Sequence, residues 1–349
     1  MPYKESPEAA IAERTKLMSG VLALIEEQRA KADKSRNEFF RPDTSSCEAY
    51  EASLEPYRSA FIEKLGWPLT DRKKDETPQG RAELVAEDEL GRIYRVHATA
   101  CGPLESYGLL FLPREKGNYP LIIAHHGGWY SPEQVADISE DGPGNQKAMI
   151  TGIRHLPVAI FAPQAFVWHM ALEPNFDKGE LDRKFRQLGG SRVAVDLLML
   201  TRSLDWLCTH EEIDAQKVGM AGLSYGGLYT LFFTAIEPRI RVAVSSCWVN
   251  DRYRYCGEDW AWPGIANQFL DGEIGRMICP RPFFLEIGKN DHVFTPDGFP
   301  KVAAEIEAPY RSLGISERFH HRIHSEGHDY DPDGKARAFL LNALGIKDA

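Results

Sequence analysis

The chain has 349 residues, 43% of them hydrophobic, enough for the core of one large α/β unit with additions. Acidic residues outnumber basic ones 51 to 41 and no basic stripe offsets the net charge of −10, which argues against nucleic acid or an anionic membrane as partner. The six cysteines are scattered without C-x-x-C spacing, residues 1–8 are polar with no apolar core behind them, and no run approaches transmembrane length, so a reduced, cytoplasmic protein is expected.

In chain order, residues 7–32 place Ile11, Leu17, Met18, Val21, Leu22 and Ile25 near helical spacing. Residues 45–65 do so more regularly with Cys47, Tyr50, Leu54, Tyr57, Phe61 and Leu65, after a break and helix cap at 41–45. Residues 1–80 therefore read as a helical N-terminal extension closed by a charged linker at 71–78. Three roles are open to it: packing on the main domain, covering part of a site, or mediating homo-oligomerisation.

Strands begin at residue 92. Segments 92–100 and 107–112 read as an antiparallel pair, and 121–124 and 158–161 as fully apolar strands of a sheet covered on both faces. Residues 191–208 form a helix with Val195, Leu198, Leu204 and Trp206 on its stripe, and βα alternation continues to the end. The spacing predicts an α/β domain over 81–349, mostly parallel, with insertions at about 130–144 and 248–278.

The most specific motif is Gly222-Leu223-Ser224-Tyr225-Gly226, a G-x-S-x-G run after the apolar Val218, Met220 and Ala221 and before Leu228, Leu231, Phe232 and Ala235 at helical spacing. A strand-to-helix turn this tight favours glycine two residues either side of the serine and lifts the hydroxyl out of the sheet. Ser224 is thus the candidate nucleophile; it needs a base, an acid to orient that base, and donors for an oxyanion. The base is read as His328, in the Gly327-containing loop after the alternating Phe319, His321 and Ile323. The acid is read as Asp291, in the loop after the buried strand 281–288, with Asp251 after the apolar run 242–247 as the competitor. His324 and His328 with Glu326 between them loosely suggest a metal pair, but histidines four apart share a face only on a helix and Glu326-Gly327 reads as a turn. No metal and no cofactor are expected. The oxyanion donors are read as the backbone N–H groups of Tyr225 and of Gly128, the latter in the loop His126-Gly127-Gly128-Trp129 after strand 121–124. His126 reads as a loop-ordering residue. Trp129 and Trp168 in loops at the rim, and Trp248 in the second insertion, are aromatic candidates for substrate contact.

Over roughly residues 90–345 the chain resembles the α/β-hydrolase superfamily, in its dienelactone-hydrolase-like and acetyl-xylan-esterase-like branch. The resemblance rests on His126-Gly127-Gly128, the Ser224 elbow, Cys279-Pro280-Arg281-Pro282 leading to Asp291, and Gly327-His328. It implies an oxyanion loop, a nucleophile elbow and a Ser224–His328–Asp291 triad. Dienelactone hydrolases themselves carry a cysteine at the elbow, so Ser224 favours ordinary ester hydrolysis. The expectation is a serine esterase acting on a small-molecule ester, with a short-acyl or acetyl-sugar ester favoured. The alternatives are a serine peptidase or lactonase on the same fold, or a hydrolase-fold binding protein without activity.

Overall fold

The computed structural model describes residues 1–73, 75–146, 149–166, 177–257 and 260–347; Trp168 lies outside them. Among the described residues nine strands form one sheet: β1 (Gly80–Asp88), β2 (Gly91–Cys101), β3 (Leu104–Leu112), β4 (Tyr119–His125), β5 (Ala159–Pro163), β6 (Ile213–Leu223), β7 (Ile240–Ser246), β8 (Phe283–Gly288) and β9 (Phe319–His324). Their spatial order is β1-β2-β3-β5-β4-β6-β7-β8-β9. The first three strands pair antiparallel and β3 joins β5 antiparallel, whereas β5 through β9 run parallel. The expected α/β class and mostly parallel sheet are what is found.

The α-helices are α1 (Pro7–Phe39), α2 (Cys47–Ser53), α3 (Glu55–Leu65), α4 (Pro132–Val135), α5 (Lys178–Gln187), α6 (Arg192–Leu207), α7 (Tyr225–Ile236), α8 (Asp271–Arg276), α9 (Phe299–Ser312) and α10 (Lys335–Leu344). The period of two along each strand explains why the sheet needs cover on both faces. Leu121 and Ile123 enter one apolar cluster with α6 and α7 residues; Ile122 and Ala124 enter the other with α10 residues Leu340 and Leu341. Helix α6 starts where Ser191 Oγ accepts the Ala194 N–H at 3.1 Å. It is buried nearly all round, beyond the single stripe read from its spacing.

Two expectations differ from the structure. Strands start at Gly80, not at 92: β1 is an edge strand, exposed along almost its whole length, so its polar composition reads like a linker. Ile11, Leu17, Met18, Val21, Leu22 and Ile25 lie on a helix that runs on to Phe39 and are solvent-exposed, burying no stripe. The next segment behaves otherwise: Phe40, Tyr50, Leu54, Phe61 and Leu65 join the same cluster as Phe232 of α7. Among the described residues no helix is long and apolar enough to cross a membrane.

Candidate active site

Ser224 stands alone between β6 and α7 with φ 58° and ψ −119°, a backbone conformation that non-glycine residues rarely adopt. Two glycines permit the turn. A Cβ on Gly222 would sit 2.2 Å from the Gly226 carbonyl oxygen, and one on Gly226 would sit 2.1 Å from that of His125. The Ser224 N–H donates to Ser246 O at 2.9 Å, tying the elbow to the end of β7.

At the same carboxyl edge, the loops after β8 and β9 bring Asp291 and His328 together. His328 Nδ1 lies 2.8 Å from Asp291 Oδ2. Asp291 is buried, and its other oxygen accepts the N–H groups of Val293 (2.8 Å) and Phe294 (2.9 Å). Burial pushes this carboxyl upward, but the hydrogen bond and charge of His328 and the two backbone donors outweigh it and hold the group below the ordinary carboxylate range. Asp251, the competing acid, is exposed and accepts the Tyr253 N–H at 2.9 Å, so it caps a turn and does not meet the imidazole. Beside the pair, Cys247 follows β7 in a left-handed conformation (φ 51°), its sulfur within 4.8 Å of ligand atoms of both Asp291 and His328. Burial first, then the Asp291 carboxylate, pushes this thiol well up and keeps it protonated. Among the described residues no hydrogen bond joins the Ser224 hydroxyl to His328.

The loop after β4 packs on the elbow. A Cβ built on Gly127 would lie 3.4 Å from that of Ser224, and one on Gly128 would lie 3.1 Å from the Tyr225 ring. His126 and His125 are fully buried, and burial depresses them to about 4 and about 3, so both are neutral. His126 Nε2 accepts the Ala165 N–H at 3.1 Å, which leaves Nδ1 as the protonated nitrogen, donating to Gly127 O at 2.7 Å. A trans peptide sets its N–H opposite its C=O, so this bond aims the Gly128 N–H away from His126. The Gly127 N–H is occupied by Gln146 Oε1 at 2.8 Å. Tyr225 is the first residue of α7, where the N–H lies outside the helical ladder.

The two aromatic candidates part company. Trp129 has φ 69° and is 64% exposed, an unusual pose for a large apolar side chain. Trp248 is 1% exposed, stacked under Arg252 at 4.0 Å and packed edge-on against Trp260 (5.0 Å) and Phe294 (5.6 Å). Its ring therefore props up Phe294, which lies 6.0 Å from His328, and offers substrate no open face.

Residues that motif reading passed over tie these loops together. Asn145 Nδ2 donates to His328 O at 2.6 Å while its neighbour Gln146 holds Gly127, so one short segment braces both loops. Lys178 Nζ donates to Tyr225 Oη at 3.0 Å and the Arg192 guanidinium lies 5.2 Å over the Tyr225 ring. No local pattern announces contacts between residues this far apart in sequence. A cavity of about 560 Å³ lies elsewhere, lined by Trp67, Arg72, Cys101, Phe166, Phe185 and Arg202.

No family model matches the chain. Over 134 residues it is 26% identical to "Putative hydrolase YtaP" of Bacillus subtilis (strain 168), a match covering 36% of this chain and 45% of that protein. The chain thus spans under half the length of the curated relative it matches. In structure it is similar to "a putative acetyl xylan esterase (BF1801)" from Bacteroides fragilis NCTC 9343, with a TM-score of 0.63 and 14% identity over 91% of this chain and 89% of that one. It is also similar to a glucuronoyl esterase from Solibacter usitatus, at TM-score 0.62 and 13% identity over 86% and 94% of the two chains. At such identities the likeness is one of fold: the chain has the α/β-hydrolase fold.

Proposed function

We propose that this chain hydrolyses carboxylic esters by acyl transfer through Ser224, His328 and Asp291. The observation that carries the reading is the 2.8 Å contact of His328 with a buried, doubly braced Asp291 at the sheet edge that also presents the strained Ser224. Asp291 accepts a hydrogen bond from Nδ1–H and holds the ring proton on that nitrogen, so Nε2 of His328 is the unprotonated nitrogen, the tautomer a general base needs. Ser224 Oγ attacks the ester carbonyl carbon as its proton passes to Nε2, and the carbonyl π electrons move onto oxygen. The N–H groups of Tyr225 and Gly128 receive that oxyanion, each worth about 3 kcal/mol of barrier. Collapse expels the alcohol, which takes the proton from His328. Water then attacks the acyl-serine as His328 removes its proton, and collapse breaks the bond to Ser224 Oγ, which takes that proton back from His328 as the acid leaves. The serine–histidine contact is one that tightens with substrate in place, as catalytic hydrogen bonds do.

Two observations favour a carbohydrate ester with a small acyl group. The similar solved structures include proteins named as acetyl xylan and glucuronoyl esterases. Trp129 presents an open aromatic face beside Gly128, the kind of surface on which a sugar ring stacks. The test is hydrolysis of p-nitrophenyl esters from acetyl to decanoyl, then of acetylated xylo-oligosaccharides, with Ser224→Ala in parallel. Activity greatest on acetyl and abolished in the variant is the expected result. Equal activity in Ser224→Ala would overturn the assignment.

A further inference from the structure

Helix α1 carries a surface that none of the described residues covers. From Pro7 to Gln28 every residue but Ala10 is exposed, and at 1.5 Å per residue this segment projects about 33 Å. Within it Leu17, Met18, Val21, Leu22, Leu24 and Ile25 are 41 to 68% exposed, a contiguous apolar band unlike the scattered apolar residues of ordinary surfaces. Ile11, Met18 and Ile25 recur at sevens, the spacing of a helix-pairing seam. The root, by contrast, is fastened. Arg29 donates to Tyr253 O at 3.0 Å, Arg36 to Ala266 O at 2.6 Å, and Arg36 pairs with Glu273 at 3.1 Å. The arm is therefore held away from its own body by the same insertion that buttresses Phe294.

We infer that α1 pairs with α1 of a second copy of this chain, antiparallel, with the two-fold axis near Leu22. Area permits it. Roughly 60–120 Å² of apolar surface per aliphatic side chain, over six such residues on each arm, gives on the order of 1000 Å², the size a specific interface must reach. Spacing sets the register and charge the direction. Met18 and Ile25 lie seven residues apart, nearly two full helical turns, and so on one side of the helix with Val21 and Leu22 between them. Antiparallel pairing about Leu22 sets each arm's Met18 level with the other's Ile25, twice, and closes Val21 and Leu22 on their counterparts between them. Parallel pairing would instead crowd two bodies, from chains of net charge −10, at one end. The helix itself holds six acidic and six basic residues, so it lacks the positive face that an anionic membrane attracts.

The test is multi-angle light scattering behind gel filtration at about 10 μM, with sedimentation equilibrium for the dissociation constant. The full chain is expected at twice its 39.3 kDa. Leu22→Glu should run at the single-chain mass with an unchanged melting temperature, because the arm packs on nothing in its own body. Met18→Glu should weaken the dimer at least about tenfold, and adding Ile25→Lys, level with it on the other arm, should recover part of the loss. A wild-type chain at single mass overturns the inference, as does a dimer that survives Leu22→Glu. Failure of Ile25→Lys to recover any affinity lost in Met18→Glu overturns the antiparallel register. Co-sedimentation of a single-mass chain with phosphatidylserine vesicles would assign the band to a lipid surface instead.

Discussion

Replacing Asp291 by Asn probes the proposed mechanism at one atom. Asp291 Oδ1 already accepts two backbone N–H groups, from Val293 and Phe294, within 2.9 Å. An asparagine keeps those bonds only by leaving its carbonyl oxygen there, which turns its NH₂ toward His328 Nδ1. Nδ1 must then accept, the ring proton moves to Nε2, and the nitrogen facing Ser224 can no longer take a proton. Side-chain volume and the loop's bonds are preserved, so the protein should fold while its imidazole sits in the unproductive tautomer. A change of this kind costs about four orders of magnitude in kcat, or about 5 kcal/mol at 1.36 kcal/mol per decade. The assay is kcat on p-nitrophenyl acetate, with the melting temperature as a control and Asp251→Asn alongside. A loss under tenfold in Asp291→Asn, or an equal loss in Asp251→Asn, would refute the argument.

The two tryptophans should separate cleanly: Trp129→Ala should raise KM for ring-bearing esters with little change in melting temperature, whereas Trp248→Ala should destabilise by about 3–5 kcal/mol in a denaturant titration. Gly222→Ala should yield inactive, poorly folded protein, since its methyl group would meet the Gly226 carbonyl at 2.2 Å; soluble, active variant protein would refute the elbow geometry. His126 is held near 4 when folded against roughly 6.5 when unfolded, so below pH 6.5 the unfolded chain binds the extra proton and stability falls until about pH 4. That single group accounts for about 3 kcal/mol, and urea titrations should show a shallower acid slope in His126→Gln than in the wild type. Asp291 works in the opposite sense to a raised group: its depressed carboxyl stabilises above the ordinary carboxylate range, and that contribution disappears only as pH falls through its lowered value.

Much of this was legible in the residues because the decisive signals are local. The elbow glycines, the apolar strand before Ser224 and the helical spacing after it are consecutive, and each expresses one steric requirement of one turn. Asp291 and His328 were legible as loop residues following strands; their meeting depends on β8 and β9 being neighbours, which no local pattern encodes. The same limit hid Asn145 and Gln146, whose role exists only because the loops of His328 and Gly127 pass on either side of them. Strand β1 escaped notice because an edge strand exposed on both faces has no hydrophobic alternation to display. Trp248 misled for a related reason: an aromatic in an insertion reads alike whether it faces substrate or packs under Arg252. In α1 the helical spacing was correct, but spacing alone does not say whether an apolar band meets its own domain or another chain.

The central claim is that the Ser224 hydroxyl itself becomes acylated. Incubation with an alkyl fluorophosphonate, followed by peptide mapping in the mass spectrometer and a parallel measurement of residual esterase activity, tests it most directly. The account predicts one phosphonyl adduct per chain, on the peptide containing Ser224, forming in step with loss of activity and absent in Asp291→Asn on the same time scale. An adduct on another residue, or full activity in protein labelled at Ser224, would contradict it.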